Sequence, residues 1–182
     1  MRCQIGCVLV MLLSSGPADA ECKERLRAAT PTARFIVHPD GTATDRRTGL
    51  TWMRCPFGTV LDDAGTPAAL ADDHCMPGPF DAPTYTWRQA LTAATDLDAG
   101  GGFAGSTGWR VPNWKELVSI VETRCSSPAI NGQVFPDTLG SFFTSTPYTS
   151  VRTSAWTVEF QSGLVLDLPK TGTAHLRLVR GD

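Results

Sequence analysis

The chain has little net charge and no apolar stretch long enough to span a membrane. Its 16 Lys and Arg residues oppose 18 Asp and Glu residues, so no basic excess favours nucleic acid as a partner. The apolar run at residues 5–13 (IGCVLVMLL) is far shorter than the roughly 20 residues that a transmembrane helix needs. We therefore expect no nucleic-acid binding, and no membrane insertion once this N-terminal segment has been removed.

The residue patterns of common catalytic and metal centres are also missing. His38, His74 and His175 are widely separated in the sequence, and no serine lies in a GxSxG motif. No CxxC pair is present, which argues against a zinc site. The sequence therefore predicts no catalytic residue, no metal ligand and no cofactor. A calcium site is the weaker alternative, because the acidic loop that could hold it has no regular spacing of carboxylates. That loop contains Asp62, Asp63, Asp72, Asp73 and His74.

The first twenty residues have the three zones of a cleavable signal peptide. Arg2 provides the positive start, residues 5–13 the apolar zone, and residues 18–20 (ADA) the small residues that a signal peptidase reads. The sequence thus predicts export to the periplasm or the extracellular space. Residues 1–20 are interpreted as the signal peptide and residues 21–182 as a single mature domain.

Cysteine usage agrees with export, since four cysteines remain after removal of the signal. In an oxidising compartment they favour two disulfides. The stretch between Cys55 and Cys75 is aperiodic, so we expect a bridge that closes it, with Cys22–Cys125 as the second bridge. A lipoprotein is the alternative, because Cys22 follows the cleavage point. However, Glu21 stands where a lipidation signal has a small residue.

Hydrophobic periodicity predicts two helices between β-rich ends. The first helix begins at a cap, Thr84 or Thr86, and reaches Leu97 before a run of three glycines. The second helix begins at Asn113, because Glu116 three residues later completes a capping box. Its predicted apolar face comprises Trp114, Leu117, Val118 and Val121.

Short strands are predicted on both sides of these helices. They lie at residues 34–37, 42–45, 50–54, 155–160, 164–168 and 175–180. Residues 55–75 are interpreted as a surface loop and residues 126–139 as irregular. Because the last strand can pair with an early one, the pattern favours an α+β domain whose ends lie close together.

Short sequence motifs, which follow one another in a fixed order along the mature chain, resemble those of a known family. They are residues 45–52 (DRRTGLTW), 87–90 (WRQA), 108–117 (GWRVPNWKEL), 128–131 (PAIN), 135–136 (FP), 143–147 (FTSTP), 155–158 (AWTV) and 176–180 (LRLVR). In this order they resemble the Lcl C-terminal domain family, which is named for the end of a bacterial collagen-like adhesin. One departure is residues 142–143 (FF), where the family more often has an aromatic pair ending in Trp.

The resemblance implies a C-type-lectin-like fold related to the formylglycine-generating enzyme. Relatives that oxidise cysteine use two close, C-terminal cysteines, whereas no cysteine follows Cys125, so that activity is not expected. The family resemblance and the missing catalytic patterns favour an exported, non-catalytic binding module. Its expected partner is a glycan or a cell-surface protein, as for an adhesin. The alternative is an accessory component of an envelope assembly, such as a pilus or a secretion machine, and an enzyme ranks below both.

Arginine and lysine side chains, which donate hydrogen bonds, and tryptophan indoles predict a candidate binding face. Arginine forks suit carboxylate and sulfate groups, and indoles can stack on sugars. The predicted face comprises Trp109, Arg110, Trp114, Lys115, Arg177 and Arg180. The competing interpretation places the tryptophans in the core and pairs Arg110 or Arg177 with a buried carboxylate.

Overall fold

The computed structural model describes residues 21–66, 69–78 and 81–181, so the predicted signal peptide lies outside the described residues. The strands are β1 (Glu21–Cys22), β2 (Phe35–Val37), β3 (Thr42–Asp45), β4 (Thr51–Met53), β5 (Val60–Asp62), β6 (His74–Met76), β7 (Cys125–Ser126), β8 (Ser141–Pro147), β9 (Ser154–Glu159), β10 (Leu164–Pro169) and β11 (Val179–Arg180). The α-helices are α1 (Trp87–Ala99) and α2 (Trp114–Val118), and a short 3₁₀ helix spans Thr32–Arg34. The α+β class, with two helices and short antiparallel sheets, is confirmed. Within the described residues, neither helix is long and apolar enough to cross a membrane.

The largest sheet joins the two ends of the chain. Its order is β11-β4-β3-β2, and Val179 lies opposite Trp52, which confirms the expected pairing of the last strand with an early one. The predicted strand at residues 175–180 was too long, because only Val179–Arg180 pairs as a strand. The preceding residues pass through the core, where Leu176, Arg177 and Leu178 are fully buried.

A second, three-stranded sheet has the order β10-β9-β8. Strand β8 escaped prediction because both of its faces are buried, so it lacks the alternation of apolar and polar residues that marks a surface strand. Phe142 packs edge-on against Phe160 in the main core, with ring centroids 5.2 Å apart. Its neighbour Phe143 faces the other side, in a cluster with Ala155 and Ala174.

Both helices begin at the predicted caps. Thr86 and Gln89 form a capping box at α1, and Asn113 and Glu116 form one at α2. However, α2 is shorter than predicted, since the amides that follow it bond to carbonyls three residues earlier. Such tight turns end an α-helix. Val121, assigned to the helical face, instead forms a bridge with Ile130.

Both expected disulfides are present. Cys22–Cys125 joins directly opposed residues of β1 and β7 and closes 103 residues. Cys55–Cys75 closes 20 residues. The loop between Cys55 and Cys75 is not wholly irregular, because it contains the hairpin of β5 and β6.

Candidate ligand-binding cleft

Two members of the predicted binding face are interior residues. Trp109 is 2% exposed, and its indole Nε1 donates to the carbonyls of Phe103 and Ser106 at 3.1 and 2.9 Å. Arg177 is fully buried. Neither side chain can contact a partner in the folded domain, so their assignment to a binding face was wrong.

Arg177 is a structural cation held by neutral groups. Its guanidinium donates to the carbonyls of Met53 and Arg54 and, at 2.6 Å, to Thr138 Oγ1. It also lies 5.0 Å from the ring centroid of Phe135, in the geometry of a cation–π contact. Burial lowers the pKa of Arg177 to about 9, and the nearby charge of Arg54 acts in the same direction. Of the two arginines that the competing interpretation named, Arg177 is thus not the one that pairs with a carboxylate.

Of the other four members, Arg110, Trp114 and Lys115 lie at the N-terminus of α2, and Arg180 lies near Arg110. Arg110 makes two hydrogen bonds of 2.7 Å to Glu116, and its backbone pairs with Val179, next to Arg180. Lys115 Nζ lies 5.8 Å from the ring centroid of Trp114. We refer to Arg110, Trp114, Lys115 and Arg180 as the basic face.

Glu116 partly neutralises this basic face. Burial raises the pKa of Glu116, but hydrogen bonds from Arg110 and from the Asn113 amide outweigh it and hold the pKa below its ordinary value. The carboxylate is therefore ionised at neutral pH. Of the two arginines in the competing interpretation, Arg110 is the one that pairs with a carboxylate, although Glu116 is 17% exposed rather than fully buried.

The acidic loop is used for structure. Asp73 forms a buried ion pair with Arg54 at 2.5 Å, and Asp72 accepts a hydrogen bond from Thr66. Asp62 and Asp63 accept from nearby turn amides. In the described part of the chain, no three His, Cys, Asp or Glu residues are grouped to hold a metal ion.

The described residues form an open cleft of about 850 Å³. Three stretches distant in sequence form its walls. They are the N-terminal arm at residues 28–32, residues 70–74, and the loop at residues 122–139. Sequence reasoning missed this cleft because its walls are irregular and carry no periodic signal. The only hint was the pair Cys22 and Cys125, which joins the arm to the loop and lies on the cleft wall.

The arm is held against the loop by the carboxylate of Glu122. It accepts from the amides of Ala29 and Thr30 at 3.0 and 2.8 Å, from Thr30 Oγ1 and from the amide of Arg124. Burial raises the pKa of Glu122, but these hydrogen bonds outweigh it and the net pKa lies below its ordinary value. Asn131 adds a second attachment by donating to Thr30 O at 2.8 Å.

The opposite wall is anchored by Arg54 and Asp137. Besides its ion pair with Asp73, Arg54 donates from Nε to the carbonyl of Val134 at 3.0 Å. Asp137 Oδ2 accepts from the amide of Cys75 at 2.7 Å and lies 3.6 Å from His74 Nδ1. These contacts tie residues 73–75 to residues 134–137.

Comparison with known families identifies the chain. The family model of the Lcl C-terminal domain matches residues 41–180. The chain belongs to the Lcl C-terminal domain family. No curated protein sequence matches the chain.

The cleft combines residues inside and outside the family match. The Lcl C-terminal domain contributes residues 70–74 and 122–139, whereas the arm at residues 28–32 precedes the matched region. The basic face lies within the Lcl C-terminal domain, which extends to Arg180.

Proposed function

We propose that the mature chain is an exported, non-catalytic binding module and that the cleft is its ligand site. The observation that carries this proposal is the size and construction of the cleft. Its volume of about 850 Å³ falls in the usual range of ligand sites, about 300–1,000 Å³. Export is supported by the two disulfides, since such bonds persist in oxidising compartments.

The walls of the cleft are pre-organised. The Cys22–Cys125 bridge and the Glu122 hydrogen bonds fix the arm, and the Arg54–Asp73 pair fixes the opposite wall. A site that is ordered before binding loses less conformational entropy when the ligand arrives. This favours recognition of a defined chemical group by the cleft.

The partner class we propose is a glycan or a cell-surface protein. Membership of a family named for an adhesin supports this class, as does the C-type-lectin-like fold that the resemblance implies. The proposal requires no cofactor and no catalytic residue. The basic face remains a second surface that could contact an anionic glycan.

An accessory role in an envelope assembly is the second candidate. It is favoured by the edge strand β10, on which Leu164 and Leu166 are 58% and 45% exposed. Exposed, apolar edge strands can pair with a strand of another chain.

A cleft-filling variant tests the proposal. A Cβ added at Gly132, on the cleft wall, would meet no described atom within 4 Å, so Gly132→Trp should place a bulky side chain at the cleft. Thr92→Trp, at an exposed position of α1, is the matched control. Both exported chains, with wild type, would be applied to a glycan array and to an array of envelope-protein peptides.

We expect saturable binding by wild type and Thr92→Trp that Gly132→Trp reduces at least tenfold. Equal binding by Gly132→Trp would exclude the cleft as the site. If the double variant Arg110→Ala/Lys115→Ala alone lost binding, the basic face would be the site instead. Saturable binding on neither array, together with a stable complex formed through β10, would favour the assembly role.

A further inference from the structure

One end of the cleft has a carboxylate without a cationic partner. Of the ion pairs on the cleft walls, Asp73 pairs with Arg54 at 2.5 Å, and Glu122 lies 4.0 Å from Arg124 Nε. The remaining carboxylate is Asp137, whose side chain is 19% exposed and whose Oδ2 lies 3.6 Å from His74 Nδ1. In the described part of the chain, Asp137 therefore has no Lys or Arg partner within 4 Å.

The two carboxylates at this end of the cleft, Asp73 and Asp137, also have oxygens that could accept further hydrogen bonds. Asp73 is 1% exposed and gives its Oδ2 to Arg54, while its Oδ1 has no hydrogen-bond partner among the described residues. Asp137 uses Oδ2 for the Cys75 amide. Because Asp73 Oδ1 is itself buried, the carboxylate that a ligand can reach at this end is that of Asp137, whose side chain is 19% exposed.

The rest of the cleft suits an aliphatic chain better than a sugar ring. Among the described lining residues the one Phe, Tyr or Trp is Phe135, which is fully buried and offers no face for stacking. Pro31, Leu70 and Leu139 line the open part. Apolar walls that lead to a carboxylate match the amphipathic side chains of Lys and Arg, with their long stem and charged head.

We propose that the cleft binds a peptide segment through a basic side chain, with the Lys or Arg head at Asp137 and its stem along the apolar wall. This proposal rests on the proposed function of the cleft and specifies its ligand. It places the protein partner above the glycan for this site. It assigns Asp137 as the residue that determines specificity.

The probes are acetyl-Leu-Arg-Leu-amide, the same peptide with citrulline in place of Arg, and chitotriose. Citrulline has nearly the shape of Arg but no charge. Each would be titrated into the ¹⁵N-labelled exported chain with both disulfides intact, and amide shifts would be followed. The variants are Asp137→Asn, which keeps an acceptor oxygen for the Cys75 amide, and Asp96→Asn, which removes an exposed carboxylate of α1.

We expect the Arg peptide to shift amides of residues 70–74 and 131–139 and to bind at least fivefold more tightly than the citrulline peptide. Asp137→Asn should abolish that fivefold preference, and Asp96→Asn should retain it. The preference of the wild-type chain for the Arg peptide over the citrulline peptide needs no variant, so this test remains valid even if Asp137→Asn misfolds.

Equal affinity for the Arg and citrulline peptides would overturn the proposal. Cleft shifts with chitotriose alone would overturn the peptide class and leave the cleft as a ligand site. If Asp96→Asn lost peptide binding as well as Asp137→Asn, binding would depend on the overall charge of the protein. That result would also contradict the proposal. If no probe shifts the cleft although the arrays show binding sensitive to Gly132→Trp, only the ligand class fails.

Discussion

At the scale of single residues, the Arg54–Asp73 ion pair illustrates how the interior holds charge. Both side chains are at most 2% exposed, so each charge depends on the other and on the carbonyls of Gln133 and Val134. Removing one partner of a buried pair leaves an uncompensated charge, and that is more costly than the net contribution of the pair.

We therefore expect Asp73→Ala to lower the free energy of unfolding by about 3–5 kcal/mol. The neighbouring Asp72→Ala removes only a hydrogen bond from exposed Thr66 and should cost less than about 1 kcal/mol. Urea denaturation at pH 7 measures both. If the two variants lost similar amounts of unfolding free energy, Arg54 would not be a buried charge that depends on Asp73.

At the scale of elements, the N-terminal arm depends on one carboxylate. Glu122 joins the arm to the loop through the amides of Ala29 and Thr30. Because the folded pKa of Glu122 lies below its ordinary value of 4.5, the folded state favours the ionised form. This stabilisation is present above about pH 4.5 and is lost as the pH falls through the folded pKa.

The difference in unfolding free energy between wild type and Glu122→Gln should therefore be large at pH 6 and smaller at pH 3. Glutamine keeps one acceptor oxygen but turns an amide group towards the backbone donors. Denaturant curves at both pH values test this prediction. Glu24→Gln, an exposed change just before the arm, is the control. If Glu122→Gln left the pH dependence of the wild-type unfolding free energy unchanged, the assigned role would be contradicted.

At the scale of the whole molecule, the two disulfides constrain loops of different length. Cys22–Cys125 closes 103 residues and Cys55–Cys75 closes 20. In the chain-entropy model a longer loop loses more freedom in the unfolded state, so the two bridges contribute about 5 and about 3 kcal/mol. Replacing Cys22 and Cys125 together with Ala should thus destabilise the domain more than replacing Cys55 and Cys75. Thermal denaturation that ranks the pairs in the opposite order would argue against an unfolded-state origin.

Processing of the exported chain is the second whole-molecule prediction. We expect mass spectrometry of the protein isolated from its host to find Glu21 as the mature N-terminus, because residues 18–20 (ADA) form the predicted cleavage site. A diacylated Cys22 would contradict this. It would also conflict with the Cys22–Cys125 bridge, since the same sulfur cannot carry both bonds.

Features governed by near neighbours were readable from the sequence alone. The capping boxes of Thr86 and Asn113 involve hydrogen bonds within three residues, and the hairpin of β2 and β3 spans a short turn. The order of motifs identified the family, and the aperiodic stretch after Cys55 indicated the disulfide pairing. These signals do not depend on how distant segments pack.

Residues that look alike in the sequence have different roles, and only the tertiary structure shows which role each one has. Arg110 and Arg177 stand in comparable contexts, Trp-Arg-Val and Leu-Arg-Leu, yet the first lies on the surface with Glu116 and the second lies among Phe135 and Phe142. The cleft likewise arises where residues 28–32, 70–74 and 122–139 meet. Burial and concavity depend on contacts between segments about 40 to 100 residues apart in the chain, and no local pattern of residue types encodes those contacts.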